Sequence, residues 1–190
     1  MIIIGITGTN GAGKGTVVEY LVKKKGFKHF SVRNFIATEV KKRHLKVNRD
    51  TLFKVGNELR QINGPSYIID KLYEKAAKKG LNTVIESLRN PYEAKVLKEK
   101  GAYLVAVDAN TKLRYKRIVA RASTTDKISY KQFLDQENRE MSSEDPFNQN
   151  LKKVISMADF KLNNNGPIND LNFQIEDTLK TIYTLQGQTL

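Results

Sequence analysis

The chain contains no cysteine among its 190 residues. A disulfide framework, a thiolate metal site and a cysteine nucleophile are excluded together. Histidine is nearly as scarce. Only His29 and His44 occur, far apart in sequence, so a protein zinc site is not expected. Long apolar runs are missing too, and none approaches the roughly 20 residues that cross a bilayer. There is no internal repeat and no low-complexity linker, and 190 residues suit one domain with a full core. The first apolar run begins at Ile2, so no leader is expected ahead of it. These absences lead to the expectation of a cytoplasmic protein with no membrane partner.

Acidic residues are also in deficit: 20 against 33 basic ones, a net charge of +13. Such a field suits a nucleic-acid partner, and it also steers a phosphorylated small molecule. The lysines (Lys23 to Lys25, Lys41, Lys42, Lys78, Lys79) are spread through expected helices. They form no arm and no patch interleaved with aromatics. That disfavours nucleic acid as the partner, and much of the charge reads as a solvated surface.

What the chain does have is the run Gly8-Thr9-Asn10-Gly11-Ala12-Gly13-Lys14-Gly15-Thr16, directly after the apolar Ile2–Ile6. The expected arrangement is a buried strand, a glycine-rich turn and a helix. Glycines let the backbone take positive φ and come close to a ligand. Successive N–H groups and the positive end of the helix then face one concavity, where phosphate oxygens bind and Lys14 reaches the outer phosphates. The spacing G-x-x-x-x-G-K in this context is that of a P-loop. A glycine-rich turn that binds nothing would not require strand, spacing, lysine and helix to agree.

Further strands are expected at 27–32, 83–86, 103–107 and 159–163, and helices over most of the rest. Asp50 is expected to cap a helix over 51–62. Asn90, Pro91 and Glu93 form a helix start with N-cap, N1 and N3 residues, and Ser129 with Gln132 forms a capping box for a helix ending near Met141. Ser123–Asp126 reads as a polar break, 142–146 as a loop and 186–190 as a frayed tail. The strands are continuous apolar runs alternating with helices, the pattern of a parallel sheet covered on both faces.

Three further places carry chemistry. Glu86 ends a strand at the edge where open α/β sheets bind ligands, and a carboxylate there can hold Mg²⁺ or its water shell. Arg117 and Arg121 stand at i and i+4, an unfavourable pair unless an anion lies between them. Arg139 is expected in the returning helix, with Glu137 and Glu140 as its simplest partners.

The string Gly8–Thr16 resembles the P-loop of adenylate kinase and the other nucleoside monophosphate kinases. The resemblance implies a three-layer P-loop fold with a five-stranded parallel sheet ordered 2-3-1-4-5, and ATP with Mg²⁺ as cofactors. It also implies that Thr16 contacts the α-phosphate side and, with Glu86, holds the metal through water. Glu86-Ser-Leu-Arg89 resembles the family segment Asp-Gly-x-(Pro)-Arg, whose arginine grips the acceptor phosphate, so Arg89 takes that role. Glutamate replaces aspartate there, and Ser87 replaces glycine. Arg117-x-x-x-Arg121 resembles the opening of the adenylate kinase lid, with Arg114 a weaker third candidate and Arg139 a further lid arginine.

Asn57-Glu58-Leu59-Arg60, Gly64-Pro65, Ala158-Asp159 and Asn163 to Gly166 resemble archaeal and bacterial kinases related to dephospho-CoA kinase. By that resemblance Arg60 contacts the acceptor, and adenine lies near Asn163 and Gly166. Ser31 begins the acceptor segment. Relatives carry an arginine where this chain has Ile36 and Ala37, and Arg33 is the candidate replacement.

The expected layout is a core (1–32, 80–120, 142–190), an acceptor-binding insertion (33–79) and a lid (121–141). Both insertions are expected to have few apolar anchors and to close on substrate. The expected activity is phosphoryl transfer from ATP to a small phosphorylated acceptor, foremost a nucleoside or deoxynucleoside monophosphate, by a monomer or homodimer. Dephospho-CoA kinase-like activity and a nucleotide-dependent switch or nucleic-acid-associated ATPase are the alternatives.

Overall fold

A computed structural model describes residues 1–121 and 128–187. The expected break at 123–126 and the last three residues of the tail lie outside the described residues. Five parallel strands form one sheet: β1 (Ile3–Thr7), β2 (Lys28–Ser31), β3 (Thr83–Glu86), β4 (Tyr103–Asp108) and β5 (Phe160–Asn163). Their order is β2-β3-β1-β4-β5, as expected. Ser31 pairs with Glu86, Ile6 with Glu86, Thr7 with Ala106 and Asp108 with Asn163. The strand ends that matter for chemistry therefore share one edge of the sheet.

The helices cover both faces. They are α1 (Lys14–Lys25), α2 (Val32–Lys42), α3 (Arg49–Asn63), α4 (Tyr67–Ala77), α5 (Pro91–Glu99), α6 (Thr111–Arg121), α7 (Tyr130–Met141), α8 (Leu151–Ser156) and α9 (Ile168–Leu185). Strand side chains alternate between two cores. Ile2, Ile4 and Ile6 pack with Val17, Leu21 and Ile175 under α1 and α9. Ile3, Ile85 and Leu104 pack on the other face with α2 to α5. The central strands β1, β3 and β4 feed apolar residues to both faces and read as apolar runs. The edge strands β2 and β5, expected to be apolar runs too, carry exposed Lys28, His29, Lys161 and Asn163 because one of their edges meets solvent.

Several expectations need correction. The cap of α3 is Asn48, two residues before Asp50. Asn48 accepts the Thr51 N–H at 2.9 Å, and the Thr51 hydroxyl accepts the Asn48 N–H at 3.0 Å. Asn90 caps α5 as expected, accepting from the N–H groups of Tyr92 and Glu93. Glu93 does not turn back to the cap; it is buried and paired with Arg60. The short helix α8 was not expected. The first insertion is also well anchored. Ile36, Val40, Val55 and Leu59 belong to the core, and α4 adds Ile68, Ile69, Leu72 and Ala76. Each large apolar side chain buried contributes about 1.5–3 kcal/mol, so α4 is part of the core.

Candidate active site at the sheet edge

The glycine-rich turn joins β1 to α1. Gly13 caps α1 at φ 104°. A Cβ there would lie 2.0 Å from Asn164 Nδ2, and one on Gly8 would lie 2.1 Å from the Val107 carbonyl oxygen. Close approach of neighbouring backbone and side chain therefore requires glycine at both, beyond what φ alone would ask. Asn164 is held there by its own bond, donating through Nδ2 to the Ala12 carbonyl at 2.8 Å. Lys14 folds over the loop and donates to the carbonyls of Gly8 (2.9 Å) and Thr9 (2.8 Å). Burial, then the Arg89 charge, lowers its pKa to about 7 against the pull of Glu86 and Glu140.

Glu86 faces this lysine from the end of β3. Ser31 donates to Glu86 Oε1 at 2.7 Å, Ser87 donates to Oε2 at 3.1 Å, and His29 Nε2 lies 3.7 Å from Oε1. Burial works to raise the Glu86 pKa. The nearby His29 imidazole, the Ser31 hydrogen bond and the Lys14 charge outweigh it and hold the carboxyl at about 2. Ser87 has φ 69°, the left-handed region, in the place where the resembled segment carries glycine. A non-glycine residue there costs about 1–2 kcal/mol. The turn that glycine would permit is thus kept, and the serine hydroxyl gains a bond to Glu86.

An open cavity of about 860 Å³ spans this edge. Lys14, Thr16 and Glu86 line it, together with Arg33, Arg89, Arg117 and Arg121. Arg117 sends Nη2 to Asn164 Oδ1 at 3.5 Å, while its buried Nη1 has no hydrogen-bond partner among the described residues. A fifth arginine, Arg49 from the start of α3, joins them. Sequence reasoning missed it, because nothing near position 49 places it beside strand ends so distant in sequence.

Reasoning from sequence also missed Glu140. This buried carboxylate of α7 accepts from Arg89 and from Arg49 Nε, the latter at 2.9 Å. Burial raises its pKa, but the two guanidinium groups outweigh that and keep it lowered. Glu137, one turn earlier, pairs with the buried Arg114. Arg114 in turn donates to the Ala109 carbonyl at 2.8 Å and to the Asn10 carbonyl of the loop at 3.3 Å. One face of α7 therefore ties the loop side of the cavity to the α3 side. Phe133, Glu137 and Glu140 follow at helical spacing, and Phe133 is fully buried. Acids in register with a buried aromatic were the available signal.

Other expected residues lie elsewhere. Ser31 caps α2, accepting from the Asn34 N–H, and serves Glu86, so it does not line the cavity. Arg60 lines a smaller cavity next door, but its Nε is bound to buried Glu93 at 2.9 Å. Arg139 points away, pairing with Asp50 at 2.9 Å and lying over the Phe53 ring, not with Glu137 or Glu140. Asn163 accepts from Asn165 within its own loop, Gly166 lies against Asp170, and neither lines the cavity. Gly8, Thr9 and Ala12 shape the loop from beneath, whereas Asn10, Gly11, Gly13 and Gly15 line its open side.

A family model described as "AAA domain" matches residues 4–145. A UPF0200 protein of Methanococcus maripaludis (strain C7) is 27% identical over 187 residues, 96% of this chain and 98% of the relative. A UPF0200 protein of Methanococcus vannielii is 29% identical over 187 residues, with 96% and 97% covered. Among solved structures, TT1252 from Thermus thermophilus superposes with a TM-score of 0.62 at 21% identity, covering 95% of this chain and 97% of that one. A shikimate kinase from Bacteroides thetaiotaomicron gives 0.61 at 14%, covering 95% and 98%. A dephospho-CoA kinase from Campylobacter jejuni gives 0.54 at 16%, covering 95% and 96%. The fold is P-loop kinase-like. No helix among the described residues is long and apolar enough to cross a membrane.

Proposed function

This chain belongs to the AAA-domain family whose model it matches, and we propose that it transfers the γ-phosphoryl group of ATP to a small phosphorylated acceptor. The observation that carries this reading is the convergence of Lys14 and five arginines on one cavity (Arg33, Arg49, Arg89, Arg117 and Arg121). Glu140 already lies between Arg49 and Arg89, and the excess of guanidinium and ammonium groups over carboxylates at this edge suits phosphate ligands. ATP phosphates would rest on the backbone of residues 8–16, with Arg117 and Arg121 over them as lid arginines. The acceptor phosphate would rest on Arg33, Arg49 and Arg89. Foremost among acceptors stands a nucleoside or deoxynucleoside monophosphate. Kinase folds among its structural neighbours support the class of reaction.

An acceptor oxygen attacks the γ-phosphorus in line, a new O–P bond forms, and the bond to the β-phosphate oxygen breaks to release ADP. Little covalent chemistry falls to the protein, so positioning and charge account for the rate. Lys14 must leave the Gly8 and Thr9 carbonyls to meet the phosphates, and their charge would restore its proton. A magnesium ion fits the donor set. The Thr16 side chain makes no hydrogen bond among the described residues, Glu86 is ionised, and no cluster of three His, Cys, Asp or Glu residues is found among the described residues. Two oxygens suit an ion that keeps most of its waters and takes phosphates as ligands. When bound, it would neutralise charge on the transferred group.

A phosphate acceptor is already an ionised nucleophile. A hydroxyl acceptor would need a base, and Glu86 and Glu140 are both held low, which weakens either in that role. The test is transfer from γ-labelled ATP to a panel of nucleoside monophosphates, dephospho-CoA and shikimate. Label in a nucleoside diphosphate supports the reading. Transfer to a hydroxyl alone, or acceptor-independent hydrolysis alone, overturns it.

A further inference from the structure

Next to the main cavity lies a smaller one of about 80 Å³, here the inner cavity, and Arg33, Arg49 and Arg89 line both. It is far smaller than the roughly 300–1,000 Å³ that encloses a whole small-molecule ligand, so it takes one end of a molecule whose remainder lies outside. Ile36, Leu52 and Phe53 give it apolar walls. Its other polar lining comes from Arg60, whose Nε is bound to Glu93, from Glu140, whose two oxygens are already taken by Arg49 and Arg89, and from Gln149.

Gln149 is only 9% exposed, and its Oε1 is buried with no hydrogen-bond partner among the described residues. The backbone on either side is pinned. Asn90 donates to the Asn148 carbonyl at 2.9 Å, and the Asn150 N–H donates to the Arg89 carbonyl at 3.0 Å. The side chain is therefore held beside Arg89, lining the inner cavity. A buried amide oxygen without a donor is costly and uncommon, and a ligand that supplies the donor removes that cost.

We infer that the inner cavity takes the body of the acceptor and that Gln149 accepts a hydrogen bond from it. The acceptor is then a phosphomonoester with a single flat ring that carries an N–H or O–H donor. The phosphate stays at the arginines shared by both cavities, the ring lies between the apolar walls, and the donor meets Gln149. This rests on the kinase reading above, yet it can fail independently of it.

Calorimetric titration of the full chain tests it, with inorganic phosphate, ribose 5-phosphate, CMP, UMP, AMP and GMP as probes. At least one pyrimidine monophosphate should bind about tenfold or more tighter than ribose 5-phosphate and tighter than either purine monophosphate. Gln149→Leu should bring it to within about threefold of ribose 5-phosphate and leave phosphate binding unchanged. If that variant does not fold, Gln149→Asn, which withdraws the amide by one methylene, should lose most of the same preference. A pyrimidine preference that survives both changes overturns the inference, as does a purine preference or none. Transfer assays on the same proteins separate the two claims. A Gln149-dependent ring preference without transfer sinks the kinase reading alone, and transfer indifferent to Gln149 sinks the inner cavity alone.

Discussion

The two sides of the cavity are built by different means. On the loop side, backbone does the work. Gly8, Gly13 and their neighbours approach Val107 and Asn164 too closely for a side chain, and Lys14, the long side chain of the loop itself, lies on the loop's own carbonyls. On the α3 side, long side chains from three elements (Arg49, Arg89 and Glu140) meet around one buried carboxylate. A backbone site is held by local geometry. A side-chain site stands only while the elements that carry it stay in register, so the first should tolerate distant changes and the second should not.

The largest effect should come from the loop side. Lys14→Ala should abolish transfer, since one preorganised charge is worth roughly 3–4 kcal/mol at a transition state, a loss of some 10²- to 10³-fold in kcat. It should not destabilise the empty protein, because a lysine whose pKa has dropped to about 7 is itself a burden on the fold. Thermal melting that falls by several degrees in this variant would erase the contrast between the two sides.

Next in size is the pH dependence, where the signs differ. Glu86 drops from 4.5 to about 2, so its stabilisation is complete above 4.5 and disappears as pH falls from 4.5 to 2, at most about 3 kcal/mol. Lys14 drops from 10.5 to about 7, so the unfolded chain binds more protons between those values and stability should rise with pH there. Urea melts from pH 2 to 10 check both slopes. Glu86→Gln should flatten the acid limb, and Lys14→Ala the alkaline one.

On the α3 side, Arg89→Ala leaves Glu140 buried with Arg49 alone. A loss of about 1–3 kcal/mol in urea melts is expected, along with loss of acceptor binding. Arg33→Ala, an exposed arginine of the same cavity, should weaken acceptor binding while changing stability by less than about 0.5 kcal/mol. Equal stability losses in the two variants would mean that the Glu140 cluster is not what holds this side together.

These differences also mark what could be read from the sequence. The loop was legible because its strand, glycines, lysine and helix lie within a dozen positions and each has a local physical reason. The sheet order followed from the resemblance, and the continuous apolar central strands from burial on both faces. Arg49, Glu140 and Asn164 were not legible as site residues, since only the fold brings them together. Glu93 was misread for the same reason: it looked local, as part of a helix cap, and instead it is buried against Arg60, which lines the smaller cavity. Ser87 is a mixed case. Its departure from the glycine of the resembled family was visible, but its left-handed φ was not.

Closure sharpens the comparison further. The expected mobile insertion spans 33–79, yet α4 is anchored in the core by Ile68, Ile69 and Leu72. A bisubstrate analogue should therefore raise hydrogen-exchange protection roughly tenfold in α2 and α3, which carry Arg33 and Arg49, and leave α4 unchanged. Equal gains in α4 would mean that the whole insertion moves as one body.

The smallest effect belongs to Arg139, expected as a lid arginine and found on the surface, paired with Asp50. Its partner Asp50 and its own side chain are 66% and 40% exposed. An exposed pair of this kind contributes about 0.2–1 kcal/mol and less in salt, because water screens it and two long side chains lose freedom to form it. Asp50→Asn should shift stability by less than about 0.5 kcal/mol. Arg139→Ala, which also loses packing over Phe53, should cost little more and leave KM for the acceptor and kcat within about twofold. Arg139 immediately precedes Glu140, the carboxylate that holds Arg49 and Arg89, on the same helix. Adjacent helix positions point about 100° apart, so one faces the cavity and the other faces solvent. A tenfold rise in acceptor KM on removing Arg139, with stability unchanged, would show that α7 turns during the reaction and brings this arginine inward. The α3 side would then be a set of arginines that exchange places, and its difference from the fixed backbone of the loop side would be larger still.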